Sequence, residues 1–283
     1  MSLPNEVNPQ LLASSASYTI DQSLRFRSSA SAYLNRTPAS ASNRKTWTWS
    51  AWVKRGTNND IAATNLFTSY SASSDSGNFQ IAMIADTLRV FGWNTVWRNT
   101  TQVFRDFSAW YHIVVAVDTT QATANNRIRV YVNGTEVTAF ATLNNPSPSD
   151  DLAINQAALH RIGAQSDTLA GYWDGYLTEI NFIDGQQLTP SSFGQADSQT
   201  GVWQPKKYAG TYGTNGFYLP FTDNSGATST TIGKDFSGNG NNWTPNNISV
   251  TAGSTYDSMT DVPTLTSATA ANYAVLNLSL IHI

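Results

Sequence analysis

From Ser23 onward the chain is cut into short apolar runs at regular intervals, each divided from the next by a cluster of Gly, Asn, Asp or Pro. That is the rhythm of a β-sandwich or barrel. The strands it predicts are Ser23–Phe26, Ala32–Asn35, Thr46–Lys54, Leu66–Ser69, Phe79–Ile84, Thr87–Trp93, Gln102–Phe104, Tyr111–Asp118, Arg127–Val132, Leu159–Gly163 and Gly171–Phe182. Only Gln156–Arg161 carries a weak helical period, so helix is expected to be scarce. Composition points the same way: charged residues are 12% of the chain against the roughly 25% usual in globular domains. Ser, Thr and Asn take their place, beside nine Trp. Uncharged polar, β-branched and aromatic side chains suit a pleated, half-buried surface. The expected fold class is all-β.

Within that frame several elements have a mechanism. Asn133-Gly134 follows Ile128–Val132, and both residues accept positive φ, so a type I′ hairpin turn is predicted. Ala85-Asp86 is a second short turn. In Tyr111–Val117 both alternating faces are largely apolar, which marks a central strand. His112 on that strand is read as a satisfied structural histidine, since no second His stands at metal-ligand spacing. Thr189-Pro190-Ser191-Ser192-Phe193 resembles one helical turn with Pro at its start. Phe217–Phe221 is a further strand-like run. Residues 1–22 are irregular and polar, and are read as an arm or linker. Residues 248–283 are read as an irregular tail, or as the truncated start of a following domain.

Several functions are excluded. The chain has no cysteine, hence no thiolate metal site or thiol nucleophile. Its net charge is −3 and no Lys/Arg cluster exceeds a pair such as Lys206-Lys207, so no nucleic-acid partner is expected. The first residues carry no basic-then-apolar signal peptide, and no apolar stretch is long enough to insert in a membrane.

Five motifs, in order, resemble one family. Ser23-Leu24-Arg25-Phe26 with Tyr33-Leu34, Thr48-Trp49-Ser50-Ala51-Trp52-Val53-Lys54, Trp110-Tyr111-His112-Ile113-Val114, Val130-Tyr131-Val132-Asn133-Gly134 and Trp173–Ile180 are similar to the strands of laminin-G-like, concanavalin A-like domains. The resemblance covers about residues 23–193 and implies a jelly-roll β-sandwich of two antiparallel sheets. Phe182–Phe193 and Gly201–Tyr218 also resemble laminin-G-like proteins of marine tailed phages, which implies a virion or tail-fibre component made in the host bacterial cytoplasm. In that family a "hlPFD" strand and a "D-x-SGNGN" turn normally precede the opening strand. Here the matching residues, Leu219–Asp223 and Asp235–Asn241, follow the closing strand. The expected organisation is therefore an arm over 1–22, a jelly roll over 23–247 completed from its C-terminal side by 217–247, and a tail over 248–283.

The family holds lectins, spacers and glycanases, so function must come from residues. Glycanases of the laminarinase type carry E-x-D-x-x-E on one strand face. The nearest run here is Glu179-Ile180-Asn181-Phe182-Ile183-Asp184, whose middle carboxylate is an Asn. Glu179 is read as a structural acceptor and the chain as no enzyme, glycoside hydrolysis remaining a minor alternative. A sugar site needs exposed aromatic platforms and polar groups on loops. Trp93, Asn94, Trp97 and Arg98, where two Trp flank a polar turn, are the candidates, with Tyr70 from the Ser/Asp-rich loop Ser69–Asn78. No cofactor is required, although Asp150-Asp151 and Asp223–Asn242 offer oxygen ligands for calcium. The expected partners are a host-surface glycan and other virion proteins or copies of the chain. The alternative is a purely structural virion protein that binds no sugar.

Overall fold

The structure, a computed structural model, describes residues 18–57, 64–198 and 200–264. It is an all-β sandwich of two antiparallel sheets. The first runs, in spatial order, β10 (Thr135–Glu136), β9 (Ile128–Val132), β8 (Tyr111–Asp118), β3 (Thr46–Arg55), β13 (Gly175–Asp184), β1 (Ser23–Phe26) and β18 (Ser258–Met259), with β16 (Phe217–Leu219) also paired to β13. The second runs β11 (Phe140–Leu143), β7 (Val96–Val103), β6 (Thr87–Phe91), β5 (Asn78–Ile84), β4 (Thr64–Tyr70), β12 (Leu159–Ile162), β2 (Tyr33–Arg36) and β17 (Thr244–Asn246). A small hairpin joins β14 (Gly194–Ala196) to β15 (Trp203–Pro205). Helix is confined, among the described residues, to three single 3-10 turns, one of them Pro190–Ser192 with its proline at the start. No described helix is long and apolar enough to cross a membrane. The weak helical period at Gln156–Arg161 is a bend and then a strand, because β12 is claimed by β4 on one side and β2 on the other.

Alternation along β3 explains the main core. Trp47, Trp49, Ala51 and Val53 face inward, where Phe67 is ringed by Trp49, Phe182, Phe217 and Trp243 at centroid distances of 5.8–6.2 Å. The opposite parity of the first sheet is also covered. Val114, Ala116, Tyr131 and Ile183 pack under Phe193, and Trp52 packs under Ile20 and Val262. Both turns read from sequence have the left-handed backbone they need: φ is 46° and 63° at Ala85 and Asp86, and 47° and 82° at Asn133 and Gly134.

The chain ends of the described region are tied to this sandwich. Ile20, placed by sequence in the arm, is buried and donates its N–H to Thr264 Oγ1 at 2.9 Å. Asp257 accepts from both Arg25 and Arg27 at 3.1 and 2.7 Å, holding β18 beside β1. Residues 1–17 and 265–283, which include most of the arm and the Tyr273–Ile283 tail, lie outside the described residues.

Candidate functional site

At one end of the sandwich three loops, 71–77, 92–95 and 144–152, surround a cleft of about 360 Å³. Asp75 is the clamp between the first two. Its carboxylate accepts from Asn94 N at 2.7 Å, Thr95 N at 3.2 Å and Thr95 Oγ1 at 2.6 Å. Gly92 permits that approach, since a Cβ there would lie 2.5 Å from Asp75 Oδ1. The clamped turn lifts Trp93 out of the surface, 45% exposed, with the Tyr70 ring 6.0 Å away. Asn94 is exposed beside it. The cleft wall carries Asp75, Thr95, Asn145, Asp150, Asp151 and the edge of Trp97.

Trp93, Asn94 and Tyr70 are thus brought together, whereas Trp97 and Arg98 correct the sequence expectation. The turn ends at Thr95, whose carbonyl accepts from Gly92 N, and a strand begins at once. Pairing of β6 with β7 shifts between Val90–Arg98 and Phe91–Val96, so one residue is bulged and both Trp97 and Arg98 turn inward. Trp97 is 2% exposed and stacks on Phe79 at 5.1 Å, so it belongs to the core. Arg98 is 1% exposed, and burial alone pushes its guanidinium down to about 10. Its donors are given to the carbonyls of Ile128, Trp97, Asn144 and Asn125 and to Asn145 Oδ1. No donor remains for a ligand. Arg98 instead holds Asn145, and through it the cleft wall. Sequence reasoning missed Asp75 and Asn145 because their partners lie 19 and 47 residues away.

Three carboxylates of the oxygen-rich loops accept hydrogen bonds from within the fold. Asp235 accepts from Tyr218 N, Ser237 N, Ser237 Oγ and Asn241 N, and Asp223 from Ser225 N and Oγ. Asp150 accepts from Ser147 N. Among the described residues no group of three His, Cys, Asp or Glu gathers at metal-binding distance.

The glycanase-like run is occupied too. Asp184 accepts from Asn43 N, Asn155 Nδ2 and Asn215 N. Glu179 sits on a bulge with φ 52°, where the β13–β3 register slips between Thr178 and Asn181. The slip returns Ile180 and Phe182 to the core and turns Glu179 to the other face, under Tyr18 and Tyr218 at 2.8 and 2.7 Å. Burial is the main reason its carboxyl is pushed up to about 7.

Ser50 and His112, 2.9 Å apart, form no nucleophile pair. Trp203 Nε1–H donates to His112 Nδ1 at 2.9 Å, so the neutral ring carries its proton on Nε2 and donates to Ser50. The ring lies between Trp52 and Trp203 at 5.1 and 6.0 Å, and burial pushes it down to about 3. His160, accepting from Asn155 N at 3.1 Å, is pushed by burial down to about 4. Both histidines are neutral in the fold and gain protons on unfolding below their ordinary value of 6.5, so their stabilisation is lost as pH falls. Glu179 runs the other way, its stabilisation lost as pH rises from 4.5 to about 7. Two protons against one leave a net decline of about 1.4 kcal/mol per pH unit between pH 6.5 and 4.5. Urea midpoints at pH 6.5 and 4.5 check this; equal midpoints would contradict it.

None of the curated proteins matches the sequence. Among solved structures, a heptameric pentraxin from Limulus polyphemus is similar at 16% identity and TM-score 0.42, covering 60% of this chain and 78% of its own. A candidate carbohydrate-binding protein from Bacteroides ovatus is similar at 13% identity and TM-score 0.48, over 81% of this chain and 59% of its own. Domain 4 of the arabinanase AbnA from Geobacillus stearothermophilus, solved with arabinotriose, is similar at 22% identity and TM-score 0.37, over 53% and 65%. The laminin-G-like family model described as the concanavalin A-like lectin/glucanases superfamily matches residues 28–193, more than half of the chain and the stretch that carries both sheets' central strands. The chain belongs to that superfamily.

Proposed function

We propose that the chain is a non-catalytic glycan-binding module whose site is the Trp93 end of the sandwich. The observation that carries this is Trp93 itself: a large ring, 45% exposed, held by the Asp75 clamp beside Tyr70 and next to a polar cleft of about 360 Å³. A rigid apolar face can stack on a sugar ring while carboxylates, amides and hydroxyls around it take the sugar hydroxyls. The superfamily's name spans lectins and glucanases. Binding is favoured over hydrolysis because Glu179, Asp184 and Ser50 are committed to internal hydrogen bonds. The resemblance of Phe182–Phe193 and Gly201–Tyr218 to marine-phage proteins supports a place on a virion appendage, with a host-surface glycan as partner.

A glycan array tests the reading. The chain should bind at least one glycan class, and Trp93→Ala should weaken that binding by about thirtyfold, the ~2 kcal/mol of a hot-spot aromatic. Stability should change by no more than about 0.5 kcal/mol, as for surface substitutions generally. Absence of binding at high protein concentration would leave the alternative of a structural virion protein.

A further inference from the structure

Glu179, Tyr18 and Tyr218 form a closed triangle of side chains joined through four oxygens. Tyr18 Oη lies 2.8 Å from Glu179 Oε2, Tyr218 Oη lies 2.7 Å from Glu179 Oε1, and the two phenol oxygens lie 2.7 Å from each other. Each contact is of hydrogen-bond length and each needs one proton between its oxygens. The phenols supply two. The third has to come from the carboxyl group, giving a ring in which the carboxyl O–H donates to one phenol, that phenol to the other, and the second phenol back to the carboxyl carbonyl. Ionisation of Glu179 removes one proton and leaves one of the three contacts with its two oxygens facing each other through lone pairs only, around a buried charge.

The two phenols are anchored unequally. Tyr218 stands on β16, whose backbone is paired with β13 opposite Asn181, and its N–H donates to Asp235 Oδ1 at 2.9 Å. Tyr18 belongs to an irregular strap, residues 18–22, held by few bonds besides the clasp: Ile20 with Thr264 Oγ1, Gln22 O accepting from Thr178 Oγ1, and Gln22 Oε1 accepting from Ser258 Oγ. We propose that Glu179, Tyr18 and Tyr218 are a proton-gated clasp that holds the strap on the sheet when the carboxyl is protonated and loosens it when the carboxyl ionises. Loosening lifts Ile20 and Tyr18 from the cluster around Trp52 and leaves it under Val262, Trp110 and Trp203. The other groups acting on Glu179 are Asp21 of the strap, which opposes its ionisation, and Lys207, which favours it. Tyr212 adds no proton to the triangle, because its hydroxyl donates to Asn181 Oδ1 at 2.9 Å.

Opening releases the clasp proton between the ordinary carboxyl value of 4.5 and about 7, so the opening constant rises roughly tenfold per pH unit across that window. Hydrogen exchange of the strap amides, corrected for intrinsic rates, reads it. Their protection should be on the order of a hundredfold higher at pH 5 than at pH 7.5. This is opposite to the trend expected for global stability, so the two are separable. In Glu179→Gln the amide supplies donor and acceptor at every pH, and strap protection should be the same at both. Equal protection of the wild-type strap at pH 5 and 7.5 overturns the clasp, as does a Glu179→Gln chain that keeps the wild-type pH dependence. Should that variant not fold, Tyr18→Phe serves: it breaks the ring, and the strap should be weakly protected at both pH values. Persistence of the wild-type pH dependence in Tyr18→Phe overturns the proposal equally.

Discussion

A chain ending at residue 216 should show no cooperative unfolding transition. The segment 217–264 supplies strands to both sheets: β16 pairs with β13 through Ile180–Leu219 and Phe182–Phe217, β17 closes the free side of β2, and β18 that of β1. It also supplies Phe217, Leu219, Phe221, Ile232 and Trp243 to the core, each at most 1% exposed. Returning those five side chains to water costs on the order of 10 kcal/mol, which is comparable to the whole stability of a typical domain. The truncation would leave Phe67 and Phe182 facing a void and β13 with an unpaired apolar edge, a template for aggregation. An insoluble product, or a soluble one that binds hydrophobic dye and melts without a sigmoid, is the expected result. A truncated chain with the full-length melting temperature would show that 217–264 is an independent appendage.

How much of this was legible in the sequence depended on where each residue's partner lies. Tyr111–Asp118 was read to the residue, because a strand apolar on both faces can only be central, and β8 does lie between β3 and β9. The Asn133-Gly134 turn was equally plain, since its backbone demand is met by its own residues. The bulges at Glu179 and Trp97 were not legible. Neither is marked by Gly, Asn or Asp, and Glu179 takes positive φ because the strands on either side pair in two registers. A one-residue slip reverses inside and outside. Hence the sequence shows a polar turn that exposes Trp93 but not the inward turn that buries Trp97. Arg98 could not have been read either: its partners are mostly backbone carbonyls, which carry no sequence signature. The candidate site is therefore half visible from sequence, as an aromatic on a turn, and its clamp and wall are tertiary facts.

The Trp93–Trp97 pair turns that distinction into a measurement. Trp97 stacks on Phe79 at 5.1 Å with a 27° tilt, and Phe79 in turn meets Trp47 edge-on at 5.1 Å. Deleting the indole removes one end of this column and leaves a void bounded by β-sheet backbone, which collapses poorly. The expected cost of Trp97→Ala is about 3–5 kcal/mol. For a sandwich of this size that is a fall in melting temperature on the order of 10 °C. Trp93→Ala removes a ring that is 45% exposed and meets Tyr70, and should leave the melting temperature within about 2 °C. Glycan binding should then be weakened about thirtyfold in Trp93→Ala at unchanged stability. In Trp97→Ala it should be weakened through the cleft, because Trp97 also backs the wall that Asp75 and Thr95 share. A Trp97→Ala chain that melts like the wild type and still loses its ligand would mean that β7 is not bulged at this residue. Trp97 would then stand beside Trp93 on the surface, and the register that Arg98 now secures through Ile128 would have to be shifted by one.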